Sequence, residues 1–213
     1  MTATTEEGCV MYYPSASQSG DISLSWAVVG SPINQFAIVE PAGDPFLVCA
    51  LDSGVVSKVH IEASPNDKPM VLYRHAKPVY CVACQSTDPN VVVSGGFDRT
   101  LFLYDTRSPA GNLCTLTKLQ HRVYGVAMDG HKVIAGDGGG CVLQYDLRKP
   151  STHTSLRSHR HWVEKVSICN GVIVSCSGDG AVGIGPGPDG TLQHCSEVWA
   201  FTHKGDDLFV ACK

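Results

Sequence analysis

The chain has 213 residues, of which 43% are hydrophobic and 17% are charged, so it can form a sizeable core and does not have the composition of a disordered chain. Its formal net charge of −4 gives no general attraction to nucleic acid or to an anionic membrane, which argues against both as partners. The first ten residues, MTATTEEGCV, lack the apolar segment of a signal peptide, and no apolar run approaches the roughly 18 residues of a membrane span. We therefore expect a soluble protein of the cytoplasm, the nucleus or both.

Ten cysteines are spread along the chain, and without a secretory signal we expect them to stay reduced. Cys81 and Cys84 have the spacing of a zinc knuckle, but they lie in a predicted strand, where residues three apart point to opposite faces. No second Cys/His pair follows at the usual distance. We therefore expect small core residues here, and neither a metal site nor a cofactor.

Short apolar runs separated by turns rich in Gly, Asp and Pro continue from residue 9 to the C-terminus. Residues 1–8 are expected to be a flexible tail, and two strands are expected at 9–13 and 22–28. Four groups of four strands follow, at 36–40, 46–50, 55–61 and 70–73; 79–84, 91–94, 100–104 and 113–117; 123–127, 132–135, 141–145 and 154–156; 163–168, 172–175, 181–184 and 191–195. Two more are expected at 197–201 and 208–212. The pattern predicts an all-β chain.

A repeat runs through these groups. The segment LFLYDTRSP at 101–109 returns as VLQYDLRKP at 142–150, which places Tyr104 and Tyr145 41 residues apart. A period of about 40 to 45 residues with four strands per unit is typical of a β-propeller blade. The fourth unit keeps the period, since Asp179 follows Asp98 by 81 residues, close to two periods.

The stretch from His75 to Arg107 resembles the repeat of the WD-repeat family. That resemblance implies a hydrogen-bonded set of His75, Ser94, Asp98 and Tyr104, with Tyr104 in place of the family's tryptophan. A buried imidazole needs partners on both nitrogens, and a carboxylate on a tight turn fixes its tautomer. In the fourth unit the resemblance assigns the same roles to the following residues: His159, Ser175 and Asp179.

His75, Ser94 and Asp98 also have the composition of a catalytic triad. Because the same residue types return at the repeat spacing, they indicate architecture. The third unit lacks the set, with Leu119, Ala135 and Gly139 at the corresponding positions.

The predicted domain is a single WD-type propeller over residues 9–213, with about five blades or as a partial propeller. Strands at 9–28 and 197–212 have no predicted partners within a repeat, and joining them in one blade would close a small ring and remove open strand edges. The other interpretation is a truncated propeller that ends within a blade. The sequence leaves both open.

Two Tyr-Asp-x-Arg motifs end the third strands of neighbouring repeats, at Arg107 and Arg148. They resemble the Trp-Asp-x-Arg motifs of WD-repeat substrate receptors of cullin-type ubiquitin ligases, and the region is similar to the propellers of F-box/WD-repeat proteins. The resemblance implies that both arginines contact a ligase adaptor; alternatively, each one only pairs with Asp105 or Asp146, or with a neighbouring blade. On the opposite face, family positions that meet partners carry these residues: Lys77, Phe97, Arg122 and Trp162. The alternative for Phe97 and Trp162 is packing between blades.

These features predict a non-enzymatic scaffold for protein–protein interactions, most concretely a substrate receptor or adaptor of a ubiquitin ligase. The alternatives are a propeller enzyme of hydrolase type, which requires acid and base residues clustered at the central channel, and a truncated WD-repeat isoform without independent function.

Overall fold

The computed structural model describes residues 2–4, 9–12, 24–27, 31–40, 45–60, 68–85, 87–107, 112–149, 152–185, 190–193, 198–204 and 207–212. Within these ranges the chain forms 21 β-strands. The predicted all-β architecture is therefore confirmed. Among the same residues, no helix is long and apolar enough to cross a membrane.

Sixteen of the strands form four antiparallel sheets of four strands, which we call blades I to IV. Blade I contains β4 (Ile33–Val39), β5 (Phe46–Leu51), β6 (Val55–His60) and β7 (Met70–Arg74). Blade II contains β8 (Val79–Gln85), β9 (Asp88–Gly96), β10 (Thr100–Asp105) and β11 (Asn112–Lys118). Blade III contains β12 (Val123–Asp129), β13 (Lys132–Asp137), β14 (Cys141–Asp146) and β15 (His153–Ser158). Blade IV contains β16 (Val163–Cys169), β17 (Val172–Ser177), β18 (Ala181–Ile184) and β19 (Thr191–Gln193).

The remaining strands lie near the two ends of the chain. A three-stranded sheet contains β1 (Thr2–Thr4), β2 (Cys9–Tyr12) and β3 (Leu24–Ala27), and a hairpin contains β20 (Val198–Lys204) and β21 (Asp207–Cys212). Thr2–Thr4 is thus a strand within the segment expected to be a tail. Of the residues in predicted segments, the following lie outside the described residues: 1, 5–8, 13, 22, 23, 28, 61, 194, 195 and 197. Closure of one blade by both groups of strands stays a prediction.

The core lies between neighbouring blades, because each blade has an apolar face on both sides. In β13, Val133 and Ala135 are buried in a cluster shared with blade II, whereas Ile134 between them is buried in a cluster shared with blade IV. This alternation is the period of two that places successive side chains on opposite faces of a strand. Past blade IV, Val198 and Phe201 of β20 join a cluster with blade IV residues and continue the same stacking.

The first strand of each blade lies at one edge of its sheet, and β4, β8, β12 and β16 lie side by side around a central axis. Side chains on these inner strands bond the backbone of the next blade. The amide of Asn34 donates to the Val79 carbonyl at 2.8 Å, and the amide of Gln85 bonds both backbone groups of Gly130, at 2.8 and 3.1 Å. Polar contacts as well as apolar packing therefore fix the angle between blades.

The turn between the second and third strands of each blade needs a residue in the left-handed conformation. Blades I, III and IV place glycine there, with φ of +82° at Gly54, +88° at Gly140 and +78° at Gly180. Blade II places Arg99 there, with φ of +67°. Left-handed backbone costs an ordinary residue about 1 to 2 kcal/mol, so blade II tolerates a strain that the other three avoid.

Candidate functional site

His75 is the centre of a buried chain of hydrogen bonds between blades I and II. It follows β7, and its Nδ1 lies 3.0 and 3.1 Å from the two carboxylate oxygens of Asp98 on the β9–β10 turn. Its Nε2 lies 2.8 Å from Oγ of Ser94 on β9. With Nδ1–H donating to Asp98 and Nε2 accepting from the Ser94 hydroxyl, both ring nitrogens of a neutral imidazole are satisfied. Burial lowers the pKa of His75, although the hydrogen bond and charge of Asp98 oppose this effect.

This chain of hydrogen bonds ends at the hydroxyl group of Tyr73 and not at that of Tyr104. The Tyr73 hydroxyl donates to Ser94 Oγ at 2.8 Å. Tyr104 instead packs its ring against the Tyr73 ring, with 4.9 Å between the ring centroids. Because Tyr73 belongs to β7, the outer strand of blade I, this hydrogen bond ties two blades together, which a ring on β10 of blade II would not do.

The hydrogen-bonded set of His75, Ser94 and Asp98 is enclosed and not open to a substrate. Ser94 has no exposed surface, and its hydroxyl group is shared between Tyr73 and His75. A triad nucleophile needs a path for the reacting group, and this geometry provides none on the Ser94 side.

Blade IV repeats part of this arrangement. His159 Nε2 lies 2.9 Å from Ser175 Oγ, and His159 Nδ1 lies 3.7 Å from the Asp179 carboxylate. The Asp179 carboxylate also accepts the backbone N–H groups of Arg160 at 2.7 Å and Ala181 at 2.9 Å. Burial lowers the pKa of His159, and the charge of Asp179 opposes this effect.

Arg157 on β15 of blade III lies two residues before His159, as Tyr73 on β7 of blade I lies two residues before His75. It is buried, and its Nη2 donates to the carbonyls of Ile184 at 3.1 Å and Gly185 at 2.8 Å. Its guanidinium lies over Gly183, where any side chain would collide with it. The long cation thus fills space left where blade IV has lost its third-strand rings, and burial lowers the pKa of Arg157.

Blade III lacks the histidine but keeps the function of the turn carboxylate. Asp137, two residues before Gly139, accepts the backbone N–H groups of Gly139 and Cys141, both at 2.9 Å. Asp98 makes the corresponding bond to the Thr100 N–H at 3.1 Å. A carboxylate therefore fixes this turn in blades II, III and IV, although in blade III it comes from a different position.

Arg107 and Arg148 lie in matching places just after the third strands of blades II and III. Arg107 donates through Nε and Nη2 to Asp105 at 2.9 and 2.7 Å, and Arg148 donates in the same way to Asp146 at 3.0 and 2.7 Å. The arginine side chains remain 55% and 65% exposed. The guanidinium groups hold the pKa values of both aspartates below their usual range. The pairing expected as an alternative is thus present, and it leaves both arginines accessible.

Three of the four residues predicted on the opposite face lie together. The Phe97 ring has the Arg122 guanidinium 3.4 Å and the Lys77 ammonium 5.2 Å from its centroid. Trp162 lies apart from these contacts, because its Nε1–H donates to the Glu164 carboxylate and its ring covers Gly178 on blade IV. The structure therefore shows one cluster of an aromatic ring with two cations, and a separate tryptophan.

Several residues near this cluster were not predicted. Tyr80 and Tyr124, at matching positions of β8 and β12, stack with 5.1 Å between centroids and 7° between planes at a cavity of about 480 Å³ on the axis. A second cavity, of about 280 Å³, is lined by these residues: Arg99, Gln120, His121, Arg122, Tyr124 and Gly138. Alignment of the repeats would have revealed Arg99, since the other blades have glycine at its position.

The cysteine pair lies in the core. Cys81 is fully buried in the cluster between blades II and III, whereas Cys84 packs against the cluster between blades I and II. Burial raises the pKa of Cys84 to about 11, and that of Cys49 to about 12, so these thiols are held protonated. Among the described residues, no group of three or more His, Cys, Asp or Glu side chains is placed to hold a metal ion.

The sequence model of the family described as "WD domain, G-beta repeat" matches residues 67–105. That segment runs from β7 through β10 and contains the whole chain of hydrogen bonds around His75. The repeat therefore begins with the outer strand of one blade and continues with three strands of the next. Residues 67–105 are therefore similar to a WD repeat, and they lie in a chain of β-propeller blades.

This propeller chain spans only a small part of the length of the F-box/WD relatives that it matches. F-box/WD repeat-containing protein 8 of Homo sapiens is 34% identical over 91 residues, which cover 37% of this chain and 15% of the human protein. The Mus musculus protein of the same name is 35% identical over 88 residues, covering 41% of this chain and 14% of its own length. The crystal structure of the computationally designed Ika8 protein superimposes with a TM-score of 0.77 at 18% identity, covering all of this chain and 64% of that chain. The latter similarity supports the propeller fold alone.

Proposed function

We propose that this WD-repeat propeller is a scaffold for protein–protein interactions, and that the edge carrying Arg107 and Arg148 contacts an adaptor of a ubiquitin ligase. The observation that carries the proposal is the matched pair of exposed arginines at equivalent ends of β10 and β14 in neighbouring blades. The proposed partners are proteins, and the proposed location is the cytoplasm, the nucleus or both.

The aspartates prepare these arginines for binding and do not hide them. A fork of two hydrogen bonds to Asp105 fixes Arg107, and the same fork to Asp146 fixes Arg148. A side chain that is already ordered loses less conformational entropy when a partner covers it. Guanidinium groups also retain N–H donors beyond those used in such a fork, which suits them to anchoring an interface.

The similarity to F-box/WD repeat-containing protein 8 supports the same proposal at the level of protein class. The matched segment covers 15% of the human protein, so any activity of that whole protein is a proposal for this chain. What the relatives support is a propeller of the kind found in a protein whose name combines a WD repeat with an F-box.

Affinity purification from cell lysate followed by mass spectrometry would test the adaptor contact. We expect the wild-type chain to recover ubiquitin-ligase components, and the double variant Arg107→Glu/Arg148→Glu to lose them by about tenfold or more. The matched control is Arg74→Glu/Lys118→Glu, which makes the same change of charge on exposed outer-strand positions of blades I and II. Recovery that is equal for the two double variants would contradict the adaptor contact.

A further inference from the structure

Arg99 stands in a strained position that three other blades give to glycine. Its φ is +67°, and its backbone is held on both sides, with N–H donating to the Gly96 carbonyl at 3.1 Å and the carbonyl accepting from Leu119 N–H at 2.8 Å. The Gly140 carbonyl makes the corresponding bond to His159 N–H at 2.8 Å. The turn is thus the same in each blade, and glycine would form it without strain. Strained residues of this kind concentrate at binding sites.

The Arg99 side chain lines a cationic cavity of about 280 Å³ between blades II and III. His121 and Arg122 line the same cavity, and all three residues are exposed. The central carbon of the Arg122 guanidinium lies over the Phe97 ring, 3.4 Å from the ring centroid. Stacking on the face of a ring leaves the N–H groups at the edge of a guanidinium free to meet a carboxylate.

No carboxylate side chain is among the described residues that line this cavity. The nearest in sequence, Asp98, is occupied by the His75 imidazole and by the backbone N–H groups of Ala76 and Thr100. In the part of the chain that the structure describes, neither Arg99 nor Arg122 forms an ion pair with a carboxylate. The charged side chains that line the cavity are therefore cationic, on a chain whose net charge is −4.

We infer that this cavity binds an acidic side chain from an extended, glutamate- or aspartate-rich segment of a partner protein. Arg99 and Arg122 would hold the carboxylate, and the neighbouring Phe97 would pack against the apolar part of the segment. The inference rests on the proposed function only in taking a protein as the partner. Arg99 and Arg107 flank opposite ends of β10, so this site and the proposed adaptor edge lie on different faces.

A single-stranded nucleic acid is the other polyanion to consider, and the structure favours a protein segment. Nucleic-acid channels follow the phosphate backbone with a continuous row of cations. Here the cations surround one cavity, and the axial cavity beside it includes the Glu164 carboxylate. One compact positive site suits a single side chain better than a charged backbone.

Fluorescence anisotropy with labelled peptides would test the inference on the full chain. The probes are a short peptide of repeating Glu-Ser units, matched peptides with Gln or Lys in place of Glu, and a single-stranded RNA of similar length. We expect the wild-type chain to bind the Glu peptide. The double variant Arg99→Gln/Arg122→Gln should lower that affinity by about tenfold or more. The control variant Arg107→Gln/Arg148→Gln removes the same charge from the other face and is expected to change binding less than about twofold.

Arg99→Gly separates binding from stability, because it restores the residue that the other blades use. We expect this variant to keep the melting temperature within about 3 °C of the wild type while lowering the affinity for the Glu peptide. Absence of Glu-peptide binding, equal weakening by the two double variants, or tighter binding of the RNA than of the Glu peptide would each overturn the inference. None of these results depends on whether ligase components are recovered through Arg107 and Arg148.

Discussion

Tyr73 shows how a neighbouring blade can supply a group that sequence similarity assigns elsewhere. The family pattern assigns the ring that completes the His75 set to Tyr104 on β10, but the hydroxyl that reaches Ser94 comes from Tyr73 on β7. The two rings pack together at 4.9 Å, so Tyr104 contributes by packing and Tyr73 by hydrogen bonding. The two tyrosines should therefore respond differently to loss of the hydroxyl group.

Tyr73→Phe is expected to lower the free energy of unfolding by about 1 kcal/mol, because it removes a buried hydrogen bond while keeping the ring. Tyr104→Phe is the matched control and should cost less than about 0.5 kcal/mol. Urea denaturation followed by intrinsic fluorescence would measure both changes. An equal cost for the two variants would contradict the role given to Tyr73.

At the scale of single elements, blade IV compensates for the rings that it lacks. Where β10 carries Phe102 and Tyr104, the corresponding part of β18 and the following turn carries Gly183 and Gly185. Arg157 from β15 of the preceding blade enters this space and bonds two carbonyls there. A glycine on one blade and a long side chain on the next are therefore one structural unit.

Gly183→Ala is expected to destabilise the chain by about 1 to 3 kcal/mol, since the new methyl group would meet the Arg157 guanidinium and force it to move. In an Arg157→Ala background the same change should cost less than about 0.5 kcal/mol, because the obstructing side chain is gone. Thermal and urea denaturation of the wild type, the two single variants and the double variant would give the coupling free energy between Gly183 and Arg157. Costs of Gly183→Ala that agree in both backgrounds would show that the two residues are independent.

At the scale of the whole molecule, stability depends on contacts between blades, and two of those contacts contain a buried histidine. His75 joins the outer strand of blade I to blade II, and His159 does the same between blades III and IV. In the neutral form each imidazole accepts a hydrogen bond from a serine. Protonation removes that acceptor in a buried place, which disfavours the folded state.

Stability is therefore expected to fall as the pH decreases below about 6.5, the pKa of an unfolded histidine. Burial lowers the pKa of both groups in the folded chain, so the unfolded chain binds more protons in this window. The contribution is complete above about pH 6.5 and is lost as the pH falls toward the folded pKa values, at no more than about 1.4 kcal/mol per pH unit for each histidine. Melting temperatures measured from about pH 7.5 to about pH 5.5 would show it.

The control for this pH dependence is His121→Gln, which removes an exposed histidine. It should leave the slope of melting temperature against pH unchanged. A melting temperature that stays constant or rises as the pH falls would contradict the prediction. The same slope in a His159→Gln variant as in the wild type would show that this histidine does not contribute.

Much of the architecture follows from local pattern. The four groups of strands, their order and the turn at each Gly-Asp or Asp-Gly cluster follow from alternation and turn chemistry, which act over a few residues. The pairing of His75 with Asp98 and Ser94 was implied by the resemblance to the WD repeat, and the structure shows it. The arginine pair was identified as a motif repeated at one blade's distance.

Contacts that cross from one blade to the next could not be predicted in this way. The sequence alone determined an all-β chain of repeated four-stranded units, and its resemblance to a WD repeat identified His75, Ser94 and Asp98 of one polar set, since those features depend on residues within one repeat. Only the tertiary structure decided that Tyr73 completes that set, that Arg157 fills the space over Gly183, and that Arg99 lines a cavity with Arg122. Each of these contacts depends on the angle and distance at which whole blades pack, which are set by the summed packing of both faces and not by any local motif.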